Sequence, residues 1–161
     1  MRLLMHNALN LDSNISILKT LVQINTGTYN YKGIVKCADY IKTLFKDLNC
    51  TITDHFCNTD SSKLIAISLK KNTTAKHNCL LSIHMDTVFN ETSSFKTFNH
   101  TSKTTATGPG VIDAKGGIVV AFNVLSWLES SEFSNKLGWT FIISTDEEIG
   151  SPDSKALLKE F

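Results

Sequence analysis

Three short stretches hold the acidic and imidazole residues that stand out as able to do chemistry. His84 and Asp86 lie in "SIHMDTV", Asp113 in "GPGVIDAKGG", and Asp146, Glu147 and Glu148 in "ISTDEEIGS". Each follows an apolar run or sits in a glycine-rich turn. Adjacent carboxylates at a strand end repel one another, and a divalent cation is one way to offset that repulsion. In an H-x-D on extended backbone, positions i and i+2 point the same way. Asp86 could therefore accept one N–H of the His84 ring and leave the other nitrogen free for a metal. One imidazole and several carboxylates form a hard N/O donor set, better suited to zinc, cobalt or manganese than a thiolate site would be.

Taken singly, each cluster has a plainer reading. His84 and Asp86 could be a strand-end histidine and a turn-capping carboxylate. Asp113 could cap the following helix or pair with Lys115, and the acidic triplet could open a helix whose N-terminus favours negative charge. A glycine-rich loop before a helix could also bind phosphate, but the chain has neither G-x-G-x-x-G after a strand nor a Walker A sequence. Together, three clusters at strand or loop ends favour the metal, because α/β sheets bind ligands beyond the carboxyl ends of their strands.

The elements that would position these residues alternate. Helices are expected over 12–24 and 34–50 from their 3.6-residue apolar period, the first capped by Asp12 or Ser13. Strands are expected at 51–57 and 63–70. "CLLSI" (79–83) reads as a central strand buried on both faces, residues 90–107 as a hairpin or irregular excursion, and 107–117 as a tight loop. There glycines 108 and 110 turn the backbone, and Gly116 and Gly117 let a helix start close to the sheet. A helix over 117–130, a buried strand over 137–144 and a terminal helix capped by Ser151 or started at Asp153 follow. This order predicts an α/β sandwich with a mixed or parallel sheet.

With 161 residues, 42% hydrophobic and 19% charged, the chain suits one globular domain. A net charge of +1 without charge runs argues against a nucleic-acid or anionic-membrane surface. No apolar stretch approaches a membrane span. The first fourteen residues lack a signal-peptide pattern, so a cytoplasmic location is expected. Cys37, Cys50, Cys57 and Cys79 show no metal or disulfide spacing and read as buried free thiols, with Cys37 and Cys79 in apolar contexts.

The three motifs resemble the N-terminal signatures of the dinuclear zinc exopeptidases and deacylases. That family includes glutamate carboxypeptidase, acetylornithine deacetylase, succinyl-diaminopimelate desuccinylase and aminoacylase. "GPGV-DAKGG" and "DEEIGS" are most similar to the glutamate carboxypeptidase branch. The intervals of 29 positions from His84 to Asp113 and 34 from Asp113 to Glu147 fit that branch. The resemblance implies a three-layer α/β sandwich with a mixed, largely parallel sheet. It also implies amide hydrolysis by a metal-activated water, on a small peptide or an N-acyl amino acid. Carried onto this sequence, His84 would bind one zinc with Asp86 orienting it, Asp113 would bridge two ions, and Glu148 would bind the other. Glu147 would be the general base.

The resemblance also implies features that residues 1–161 do not contain. These are a further zinc-ligating carboxylate beyond the glutamate pair, a final ligating histidine, and an inserted dimerisation domain that supplies substrate-binding groups. Residues 1–161 are thus expected to be the N-terminal portion of a catalytic domain with two protein ligands per ion. Alone they are expected to be poorly soluble or partly unfolded and to show little hydrolysis, unless a second polypeptide supplies the rest. The alternatives are a noncatalytic binding module that keeps the fold, or a fragment without function.

Overall fold

The computed structural model describes residues 10–71 and 74–161. Most of the N-terminal stretch read for an export signal therefore lies outside the described residues. Helix α1 spans Leu11–Gln23 and α2 spans Tyr31–Phe45. The first starts one residue and the second three residues before the positions that apolar periodicity alone gives, because asparagines act as the caps. Asn10 Oδ1 accepts from the Asp12 and Ser13 amides, and Asn30 Oδ1 from the Gly33 amide. Each such cap is worth about 1 kcal/mol. Asp12 and Ser13, the expected caps, lie inside the first turn.

Strands β1 (Thr51–Phe56) and β2 (Leu64–Lys70) form an antiparallel hairpin. Strand β3 spans His77–His84. The excursion after it contains a two-residue ladder of β4 (Asn99–His100) and β5 (Ala106–Thr107). Helix α3 follows at Lys115–Ser130, β6 at Leu137–Ser144 and a short α4 at Ser154–Leu158. The main sheet has the order β1-β2-β6-β3. It is mixed, but only the β3–β6 pair is parallel among the described strands. The mixed sheet expected from the sequence is present, but the largely parallel one implied by the resemblance is not found among the described strands, because β2 leaves a hairpin and meets β6 antiparallel.

Strand β3 corrects a second expectation. Among the described residues it lies at the sheet's edge, not its centre, and His77 to Leu80 are exposed. Cys79 is accordingly exposed rather than buried in an apolar context. The strands buried along most of their length are β2 and β6, flanked on both sides. Helices α1 to α3 share one core with one face of the sheet. Ile34, Cys37, Ala38, Ile41 and Phe45 form the apolar stripe of α2. Phe45 meets Phe122 of α3 edge-on at 5.2 Å and Phe141 of β6 at 5.8 Å, tying both helices to the sheet. On the opposite face, His55 of β1 packs edge-on against Phe161 at 6.2 Å and hydrogen-bonds Ser68 at 2.8 Å. The alternation of the strands therefore turns this face toward the C-terminal segment. No described helix is long and apolar enough to cross a membrane.

Candidate metal centre

Strands β3 and β6 run parallel with His84 opposite Ser144. Both therefore deliver their C-terminal ends to one rim of the sheet. His84 closes β3, and β6 leads through Asp146 into a one-turn 3-10 helix, Glu147–Ile149. Asp113 comes from the loop entering α3, and the peptide bond after it is cis. Two glycines let that loop reach the rim. Gly110 has φ +71°, and a Cβ there would press on the Lys115 stem at 3.0 Å. At Gly117 a Cβ would lie 2.3 Å from Ile83 Cδ1, so a larger residue there would make the Ile83 side chain move for α3 to start this close to β3.

His84, Asp113 and Glu148 each offer a donor atom within 4.8 Å of the other two. His84 Nε2 lies 2.9 Å from Asp113 Oδ1 and 3.7 Å from Glu147 Oε2. Four of the five expected site residues thus converge on one point. The fifth, Asp86, is fully buried below them and does more than orient the ring. Its Oδ2 accepts from Thr28 Oγ1 at 2.8 Å and the Glu148 amide at 3.1 Å, and its Oδ1 accepts from the Glu147 amide at 3.1 Å. His84 Nδ1 lies 3.1 Å from the Asp86 carbonyl oxygen and 3.3 Å from Oδ1. One buried carboxylate thus fixes both the imidazole and the turn that carries the two glutamates.

The electrostatics follow from this crowding. Burial opposes a charged His84 ring. The hydrogen bonds to Asp86 and Asp113 and the charges of Asp86 and Glu147 outweigh it, lifting the ring to about 9. Burial alone would raise the Asp86 carboxyl, but its bonds from His84, Thr28 and the two amides hold it below its ordinary value. Burial also raises Glu148, and the charges of Asp113, Asp86 and Glu147 add to this against the pull of His84. One imidazole nitrogen and mutually repelling carboxylate oxygens at one point fit a divalent cation, which would relieve the repulsion.

The model of peptidase family M20/M25/M40 matches residues 80–161, the half of the chain that carries all three motifs. The chain belongs to this family. Carboxypeptidase G2 of Pseudomonas sp. (strain RS-16) is 32% identical over 152 residues, covering 91% of this chain and 35% of that protein. Human carnosine dipeptidase 1 superposes with a TM-score of 0.77 over 98% of this chain and 37% of its own, at 16% identity. An M20 family metallo-carboxypeptidase from Sulfolobus solfataricus gives 0.75 over 93% of this chain and 34% of its own, at 17% identity. The chain spans about a third of the length of each of these relatives.

Other residues of this M20 chain hold the site, among them one outside the three motifs and two whose partners the motifs do not reveal. Thr28 is one, supplied by the loop between α1 and α2. That loop is docked by the Gly27–Thr87 bridge and by Thr26 Oγ1, which donates to the Met85 carbonyl at 2.7 Å. Lys115 is another. It does not pair with Asp113 but is fully buried, donating to the Leu21 and Ile24 carbonyls at 2.9 and 2.8 Å. The open carbonyls at the C-terminal end of α1 thereby gain a cation, and the Asp113 loop gains an anchor. Burial lowers Lys115 to about 8. Asp146 is also fully buried. It accepts from the Asp153 amide at 2.8 Å, the Ser154 amide at 3.1 Å and the Ser154 hydroxyl. Asp146 rather than Ser151 therefore secures the start of α4.

Proposed function

We propose that this chain carries the first part of the metal centre of a hydrolase that cleaves an amide bond in a small peptide or an N-acyl amino acid. The observation that carries this reading is the convergence of His84, Asp113 and Glu148 donor atoms with Glu147 beside them. His84 and Glu148 would each hold one zinc ion and Asp113 would bridge the two, with cobalt or manganese as substitutes. When bound, the metal supplies Lewis acidity toward the scissile carbonyl and the attacking water. Glu147, half-exposed and fixed at its amide by Asp86, would take the proton from that water and return it to the leaving amine.

These assignments give each ion two protein ligands from residues 1–161. A catalytic zinc ordinarily has three. Residues 1–161 would thus form the N-terminal portion of a catalytic domain, and further ligands would come from sequence that this third of the relatives' length does not include. They could lie on a second polypeptide. The test is zinc uptake and N-acyl glutamate hydrolysis by residues 1–161, alone and coexpressed with a polypeptide bearing the family's later ligands. Turnover is expected only from the assembly, and E147A should abolish it while leaving metal bound. Turnover that survives in E147A contradicts the role given to Glu147.

A further inference from the structure

Two clefts flank Glu148. The larger, about 630 Å³, has apolar walls of Val88, Phe89, Phe95, Val111 and Ile112, and Asp113 and Glu148 of the metal centre share its lining. The smaller, about 430 Å³, is lined on its polar side by Thr28, Asn30, Asn90 and Glu91. No Lys, Arg or His lines either cleft among the described residues. Around the larger cleft the chain exposes apolar groups that folding would ordinarily hide. Ile112 is 92% exposed, Val88 66% and Phe95 40%. Phe89 and Phe95 pack ring to ring at 5.0 Å and form one aromatic wall.

We infer that the larger cleft is a specificity subsite for an uncharged apolar group of aromatic size next to the scissile amide. The inference rests on the metal-centre reading above. The cleft has the size and apolar walls of small-molecule sites. Its walls are continuous with the metal-ligating carboxylates, so a group seated there places its neighbouring amide at the donor triad. The apolar walls match a ring, which covers Ile112 and Phe95 and displaces water from beside the metal centre.

The experiment is an amide-resolved NMR titration of the 161-residue chain with N-acetyl-L-phenylalaninamide, N-acetyl-L-alaninamide and N-acetyl-L-glutamate. The phenylalanine probe should shift the amides of Phe89, Phe95 and Ile112 and bind roughly tenfold tighter than the other two. I112S changes only an exposed side chain and should keep the fold, yet weaken that probe about tenfold. F95A should act in the same direction. Equal binding of the alanine probe, an unchanged affinity in I112S, or the same shifts produced by protein concentration alone would overturn the inference. Cobalt uptake on the same samples reports the metal centre separately. Ring selectivity without cobalt uptake keeps the cleft and sinks the metal reading, and cobalt uptake without ring selectivity does the reverse.

Discussion

The acidic residues at the sheet rim divide into two sets that share a charge but differ in surroundings. Asp86 and Asp146 are fully buried, and their oxygens accept from backbone amides, hydroxyls and a ring nitrogen. Asp113 and Glu147 keep 71% and 56% of their side chains open to solvent. Buried carboxylates persist only when their lone pairs are satisfied. The first set is therefore held by its partners, whereas the second, with Glu148, keeps oxygens open to solvent. The difference shows that motif acids of one chemical type can divide into a held set and an open set by burial and hydrogen bonding.

Substitutions should break that division in order of size. D86A strands the Thr28 hydroxyl, two amides and the His84 ring, and should lower the unfolding free energy by about 3–5 kcal/mol in urea titration. Metal uptake should disappear with it. D146A strands three donors at the start of α4 and should cost about 3 kcal/mol. T28V removes one bond to a buried charge and should cost about 2 kcal/mol, with the donor triad otherwise in place. D113N and E147Q lie in the open set and should change stability by no more than about 0.5 kcal/mol. A large loss in either would erase the distinction.

Titration sharpens the same comparison with a smaller effect. His84 rises from an ordinary 6.5 to about 9, so the fold binds its proton more tightly than the unfolded chain does. The stability this contributes without metal is fully present below pH 6.5 and lost as pH rises through about 9. Lys115 opposes it. The charged form of Lys115 is disfavoured in the fold, and that penalty fades between about 8 and its ordinary 10.5. The difference between the wild type and H84Q across pH 6–10 should isolate the histidine limb. Cation uptake must displace the same proton, so affinity should increase with pH up to about 9 and about one proton should be released per ion at pH 7.

Much of this was legible in the sequence, and what was not has a physical cause. The strand at Leu137–Ser144 matches its apolar run residue for residue, because a strand buried on both faces leaves a continuous signal. The apolar run at 79–83 gave a strand but not its place, since an apolar run carries no information on lateral order, and β3 proved to be an edge among the described strands. Helix starts slipped because Asn10 and Asn30 compete with neighbouring residues that cap equally well in principle. The site acids could be named from their motifs. Thr28 could not, because its bond to Asp86 spans 58 residues, and no local pattern marks it. Lys115 was visible in its motif, but its carbonyl partners at Leu21 and Ile24 lie more than 90 positions away.

Cobalt binding tests the central claim most directly, with the visible absorption of the bound ion reporting its donor set. The wild-type chain and E147A should both bind cobalt with nitrogen and oxygen ligands, and H84A, D113N and E148Q should each lose it while remaining folded. Cobalt uptake undiminished in D113N or E148Q would contradict the assignment of the metal centre to His84, Asp113 and Glu148.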